Sequence, residues 1–332
     1  MDGSRTTPAT VDLAAAEAVR HRAPLLIAHV WPGRYTGVFR SRGAVASPAD
    51  GRRLLDVSAQ RAQLGSPDLP VSTELLDGGA ADMLTRLSGR AQLIVVAHRD
   101  DALTRVSWGS TAAYLAHYGA CPVLVHRGAA PSAGPVVVAA SARPTGATTL
   151  GYAFAEAAMR GSSLVAVHMW TRRGSEDGPR PAVVAGGYSV ERREAERALA
   201  EALAGWAAPY PHVPIDRLAV PDLDMGYTIE RASQRGRLLV AGIGRHGRFA
   251  EWLYGSAGPS RTAVRVVACP VVLVPGGGRP EFRCRPTVAR SRPIQPDVAE
   301  LNASADAAAC QGFVRAPGSV RAVPVRYSSR RS

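Results

Sequence analysis

The residues whose spacing most clearly suggests chemistry lie in one run, VAGIGRHGRFAEWLYGSAG, where Gly242, Gly244 and Gly247 follow an apolar stretch and Gly255, Ser256 and Ala257 close the segment. Small residues at a bend after a strand let backbone N–H groups approach an anion, and the amino end of the next helix adds a favourable dipole. Phosphate is the ligand such a bend suits. A tight strand-to-helix turn uses the same glycines with no ligand, and the cluster alone leaves both readings open. His246 lies within the loop, where a protonated ring reaches a phosphate; an exposed loop residue is the plainer reading.

Other reactive constellations are absent from the sequence. The eight histidines (21, 29, 98, 117, 126, 168, 212 and 246) form no HExxH, and no metal site is expected. His29 and His168 fall at equivalent strand ends, where a structural hydrogen bond is the simpler role. There is no GxSxG elbow, and with no Lys anywhere in the chain a GxxxxGK[ST] phosphate loop is excluded. Asp222 and Asp224 precede a helix and could serve a metal or cap that helix equally well. Cys121, Cys269, Cys284 and Cys310 have no CxxC spacing; the first two sit in apolar runs, as small buried hydrophobes in a reducing compartment do.

The elements that must position the glycine run occur twice. TVDLAAAEAVRHRAPLLIAHVW (Thr10 to Trp31) aligns without a gap on TLGYAFAEAAMRGSSLVAVHMW (Thr149 to Trp170), at an offset of 139 that relates Glu17 to Glu156 and His29 to His168. Later, WGSTAAYLAHYGACPVLV answers YGSAGPSRTAVRVVACPVVLV, with Cys121 and Cys269 at matching places. Short β-branched runs alternate with longer amphipathic ones, which predicts two doubly wound parallel-sheet α/β domains. Leu25–Val30, Leu93–Ala97, Val136–Ala140 and Leu238–Gly242 are read as strands, the continuous apolar ones covered on both faces, and 189–206 as a surface helix. The expected organisation is domain 1–128, linker 129–134, domain 135–276, and a disordered basic tail 277–332, in which periodicity stops and Pro and Arg scatter.

Composition agrees with this plan. With 332 residues, 46% hydrophobic and 20% charged, the chain has material for two cores. The net charge of +13 is concentrated toward the end, with ten Arg against four acidic residues from Gly277 onward, so it gives little support for a nucleic-acid partner. No apolar stretch approaches the roughly 20 residues of a membrane span, no membrane partner is expected, and the location expected is cytoplasmic.

The run from Gly242 to Gly255-Ser256, trailing into ACPVVLV, resembles the signature of the universal stress protein family, here in its tandem two-domain, actinobacterial form. Gly, two residues, Gly, nine residues, Gly-Ser is the family pattern; the outer positions match, and Arg245 stands at the middle one between Gly244 and Gly247. The resemblance implies a Rossmann-like, adenine nucleotide alpha hydrolase-like fold and a non-enzymatic stress-response or signalling module. It also implies that adenosine is gripped by an Asp after the first strand and by a residue after the second. Ser141 and Met169 hold these places in the second copy, and a Ser lacks the charge and paired oxygens of a carboxylate. The cofactor implied is ATP in the second domain, through Ser141, Met169, Gly242, Gly244, Gly247, Gly255, Ser256 and Ala257. The first copy keeps Asp2 and Val30, but its loop AHRDDALTRVSWGST is one residue short, has no glycine before Gly109-Ser110, and sets Asp100 and Asp101 where phosphate would sit. That site is expected to be degenerate.

By resemblance, Cys121–Val125 and Cys269–Val274 meet across a pseudo-twofold axis, so that one chain imitates a dimer; a homodimer of whole chains is a further arrangement. The offset of 139 places the partner of Val136–Ala140 before Met1. A central strand is costly to lose, so an upstream start is expected, with a decayed first domain as the alternative. The alternative to nucleotide binding is an interaction scaffold with both pockets degenerate. An adenine-nucleotide hydrolase and tail-mediated nucleic-acid binding are the remaining competitors.

Overall fold

In the computed structural model the described residues are 6–31, 47–97, 111–126, 133–140, 142, 146–170, 187–221, 224–243 and 267–275. All of them belong to one compact unit, Met1–Arg283. The first half contains α1 (Thr7–Arg20), β1 (Leu25–Trp31), α2 (Pro48–Gly65), β2 (Val71–Asp77), α3 (Ala80–Ser88), β3 (Ile94–Ala97), α4 (Thr111–Tyr118) and β4 (Val123–His126). The second contains β5 (Val136–Ala140), α5 (Ala147–Met159), β6 (Leu164–Trp170), α6 (Gly187–Ala207), β7 (Ile215–Pro221), α7 (Met225–Arg235), β8 (Leu238–Ile243) and β9 (Val271–Pro275). No helix among the described residues is long and apolar enough to cross a membrane. The expected tail, and with it the extent of the carboxyl-terminal region, lies outside the described residues.

Seven strands form one sheet in the order β3-β4-β9-β8-β5-β6-β7. Every pairing in it is parallel except β4 with β9, where Val123 faces Leu273, Leu124 faces Val272 and Val125 faces Val271. This antiparallel seam joins the halves through the strands expected to meet. Side chains alternate across the sheet, so Val136 and Val138 enter one core with Phe154, Leu199 and Leu203, while Val137 enters the other with Leu115, Ile229 and Leu273. Both cores draw on both halves. The edge strand β7 carries Asp216 and Arg217, charges that blunt an open sheet edge.

Local chemistry explains the element boundaries. Ser47 caps α2, its Oγ accepting from the Asp50 N–H at 3.2 Å, and Pro48 occupies the first turn, where no N–H is needed. The strands expected from Cys121 and Cys269 begin two residues later, because Pro122 and Pro270 have no N–H to give a ladder; their carbonyls instead accept from Ile94 N (3.0 Å) and Leu239 N (2.9 Å). A buried serine repeats alongside. Ser88 Oγ accepts from Ala120 N at 2.8 Å and Ser233 Oγ from Ala268 N at 3.2 Å, each tying a helix end to the chain entering the last strand of its half. At the end of the expected linker, Gly134 has φ 133°, and a Cβ there would collide with the Arg235 carbonyl.

The halves differ at their centres. In the second, β5 lies between β6 and β8, giving a doubly wound order in which the chain reverses direction at β5. In the first, β1 and β2 pair as a separate two-stranded sheet, and among the described residues no strand lies between β1 and β3. That layer rests on a small cluster of Val11, Ala15, Ile27, Leu55, Ala62 and Leu69. Cooperative units with little buried apolar surface open first. Amide hydrogen exchange should therefore release β1, β2 and α2 well before β5, β8 and β9; simultaneous exchange of the two groups would contradict this partition.

Candidate functional site

In an open parallel sheet the loops leaving two adjacent strands diverge where strand order reverses, and a crevice opens outside their carboxyl ends. Here the reversal falls at β5, between β6 and β8. Register places the residues: Ala139 pairs with Ala241 and Ala140 with His168, so Gly242 of β8 is level with the end of β5, and Met169 is one step beyond on β6. Both are half-buried. Helix α5 starts beside this edge. Its N-cap, Gly146, has no side chain to satisfy the first N–H groups, and no acidic residue lies in the first turn. A Cβ on Gly242 would run into Thr149 Oγ1, so only glycine lets the helix approach the strand end this closely. His168 Nδ1–H donates to the Ala140 carbonyl at 3.1 Å, fixing the neighbouring strand end.

Of the residues singled out from sequence, the structure brings Gly242 and Met169 to this edge. Ser141, Gly244, Gly247, Gly255, Ser256 and Ala257 lie outside the described residues, as do His246, Asp222, and, in the first half, Asp2, Gly109 and Ser110. Asp224 occupies the N-cap of α7 but makes no capping hydrogen bond with its side chain. Val30 sits on β1 where Met169 sits on β6, yet no described central strand stands beside it to form the other wall of a crevice. The Cys121 thiol is buried and in no disulfide, and burial pushes its pKa up to about 11 against a backbone hydrogen bond at Ile94, which favours the protonated thiol at neutral pH.

One cluster had no role assigned from sequence. Glu17 of α1 and Glu156 of α5, related by the internal repeat, are both buried where the two helices meet. Arg160 Nη2 reaches both Glu17 oxygens at 2.7 and 2.8 Å, and its Nη1 pairs with Glu156. Arg20 adds a contact to Glu17 at 2.7 Å, and His21 Nε2 lies 3.1 Å from Glu156. His21 and Arg160 hold the same repeat position, so the twofold relation carries each toward the other half's carboxylate. Three ligand atoms from Glu17, His21 and Glu156 lie within 4.8 Å of one another, the spacing of a metal site. The Arg160 guanidinium already holds both carboxylates and places a positive charge among the donors, so the group works as an ion cluster. An acidic residue kept at one repeat position inside otherwise alanine-rich helix faces was the available signal.

Two carboxylates beside the His21 ring favour the imidazolium, but Arg160 and Arg20 neutralise them. Desolvation therefore prevails and lowers the His21 pKa from its ordinary 6.5, Glu17 opposing and both arginines assisting. The unfolded chain then takes up this proton more readily than the folded one, so stability falls as pH drops below about 6.5 and is unaffected above it. His21→Gln should flatten that part of a stability-versus-pH curve measured by urea unfolding. An unchanged slope between pH 6.5 and 5 would exclude His21 as its source.

The sequence profile of the universal stress protein family matches residues 1–127 and again 133–275. A universal stress protein of Mycolicibacterium smegmatis is 33% identical over 291 residues, covering 82% of this chain and 95% of its own. Another, from Mycobacterium tuberculosis strain H37Rv, is 28% identical over 289 residues, covering 82% and 94%. The crystal structure of a universal stress protein from Archaeoglobus fulgidus superposes with a TM-score of 0.57 at 13% identity, over 82% of this chain and 93% of that one, a likeness of fold. With the parallel halves, the antiparallel seam and the doubled match in hand, the chain belongs to the universal stress protein family, as a tandem of two Rossmann-like repeats.

Proposed function

We propose that the second half binds an adenine nucleotide, ATP first among them, at the strand-order reversal beside β5 and β8, and that the chain is a non-enzymatic stress-response module. The observation that carries the reading is the edge formed by Gly242 and the uncapped start of α5. There the bare strand end lies against the Thr149 side chain in the first turn of α5, whose N–H groups have no side-chain cap and no acidic residue in that turn to compete for them. The loop glycines Gly244, Gly247 and Gly255 with Ser256 supply further amides for phosphate in this proposal, and Met169 packs against the base or ribose. Ser141, where a carboxylate would grip ribose better, makes the expected affinity modest. Binding acts by shifting the population of a partner-binding state. A cytoplasmic location is part of the proposal, and the buried cysteines Cys121 and Cys269, neither of them in a disulfide, suit it.

Titration calorimetry with ATP on the full chain tests this. Saturable heat that Gly244→Asp abolishes, with the fold intact by circular dichroism, supports the site. No heat at millimolar ATP leaves the scaffold reading, and ATP turnover abolished by the same substitution would replace the non-enzymatic one.

A further inference from the structure

The two halves build the chain that enters β1 and β2, and β6 and β7, with the same backbone hydrogen bonds. Leu69 N–H donates to the Ser66 carbonyl and Val213 N–H to that of Tyr210, both at 3.1 Å; Ala23 N–H donates to Ala18 and Ser162 N–H to Ala157, both at 2.9 Å. Leu25 faces Val71 as Leu164 faces Ile215, so Ser66 corresponds to Tyr210 and Ala62 to Trp206. On this shared frame the side chains differ. In the second half Phe154 stacks with Trp206 and Tyr210, filling the space between α5, α6 and the turn into β7. Their counterparts are Ala15, Ala62 and Ser66. The two alanines are buried in the small core of the first half. Beside Ser66, where the second half sets the Tyr210 ring, a cleft of about 450 Å³ opens between the end of α1 and the turn from α2 into β2. Its apolar walls are Ala18, Val19, Pro24, Leu69 and Pro70. Val19 is 51% exposed there, while its counterpart Ala158 packs against the core of the second half.

Two exposed charges line this cleft from its two walls, Arg22 at the end of α1 and Asp68 in the turn. Arg22 is the one non-glycine residue with positive φ among the described residues, at 51°, and the repeat has Gly161 there at 58°. A Cβ disfavours that backbone, so an arginine stands in a conformation that glycine meets without strain. Strain of this kind is kept where the side chain has a use.

We infer that the cleft binds an aromatic zwitterion, a small molecule with a flat ring, a carboxylate and an ammonium group. The size suits this class, since small-molecule pockets run roughly 300–1,000 Å³. The ring takes the place that Tyr210 fills in the other half, against Leu69 and the rings of Pro24 and Pro70. Arg22 offers the carboxylate a pair of N–H groups in the fork that suits two oxygens, and Asp68 accepts from the ammonium. Pro24 and Pro70 precede β1 and β2, so the cleft lies at the amino-terminal ends of strands in the first half. It is separate from the carboxyl-terminal edge of β5, β6 and β8 proposed for nucleotide.

The test titrates the full-length protein with L-tryptophan as the probe and follows backbone amides by NMR. Saturable shifts are expected at Val19, Arg22, Ser66 and Leu69 at millimolar tryptophan, and none at Gly242. Tryptamine, which lacks the carboxylate, and indole-3-propionate, which lacks the ammonium, should each bind about three- to fivefold more weakly, the ratio an exposed ion pair supports. Ser66→Tyr, which restores the ring that the second half carries, should abolish binding of all three. Arg22→Gly reproduces the Gly161 turn, so it should fold at least as well as the parent; it should weaken tryptophan about three- to fivefold and leave tryptamine unchanged, and it carries the test if Ser66→Tyr impairs folding. Three results would overturn the inference: no saturable shift at the cleft amides, undiminished binding to a folded Ser66→Tyr variant, or equal binding of the three probes to the parent.

Discussion

Replacing Arg160 by Met should lower the unfolding free energy by about 3–5 kcal/mol, because it leaves two carboxylates buried between the halves without their shared counterion. Arg160 is 4% exposed, Glu17 6% and Glu156 1%, so water cannot take over the solvation that the guanidinium provides. Burial opposes the charge on Arg160 itself, and Glu17 sustains it, so each ion is held in place by the others. The exposed pair Arg192 with Glu196, at 2.8 Å, offers the contrast: Arg192→Met there should cost less than about 1 kcal/mol. Urea unfolding of both variants checks the difference. Removing the whole buried group, with Glu17→Gln and Glu156→Gln added to Arg160→Met, should recover much of the loss, since neutral amides need no counterion. A single Arg160→Met variant within about 1 kcal/mol of the parent would show that the cluster is solvated or redundant.

That cluster also marks how far the sequence carries. The runs Val136–Ala140 and Leu238–Gly242 could be read as strands covered on both faces because their apolar character is unbroken, and the structure extends the second by only one residue. The duplication was legible for the same reason: period and composition repeat together. What a sequence does not display is which surfaces the duplication folds against each other. Glu17 and Glu156 stand out as acids among alanines, but their partner Arg160 serves both only because the twofold relation crosses two helices. Nothing in the sequence singles out Ser88 and Ser233, and only the returning chain at Ala120 and Ala268 gives them a buried role. Gly242 was recognisable as a glycine at a strand end; the approach of Thr149 that demands it is a tertiary fact. The first half's divided sheet likewise follows from the element that no described residue supplies, and its neighbours β1 and β3 kept the same apolar pattern as their buried counterparts.

Phe154→Ala should be the most destabilising of the simple truncations in the second half, at about 3–5 kcal/mol, from lost burial plus the cavity left behind. The ring is fully buried and stacks with Trp206 at 6.3 Å and Tyr210 at 5.7 Å, filling the space between α5, α6 and the sheet. Gly151, one turn earlier on α5, leaves room for the Trp206 ring, whose six-membered edge a Cβ would strike. The repeat puts Ala15 where Phe154 stands, and the first half has correspondingly little to lose there. A substitution in that smaller cluster, Leu55→Ala, should act on the separate β1–β2 layer instead. Unfolding followed by residue-resolved hydrogen exchange then distinguishes the two. Phe154→Ala should lower protection throughout β5, β6 and β8, and Leu55→Ala should lower it in β1, β2 and α2 while leaving β5 and β8 near their parent values. Equal losses across both sets from either change would mean that the described residues open as one unit, and the seam of β4 with β9 would then couple the halves more tightly than their unequal cores suggest.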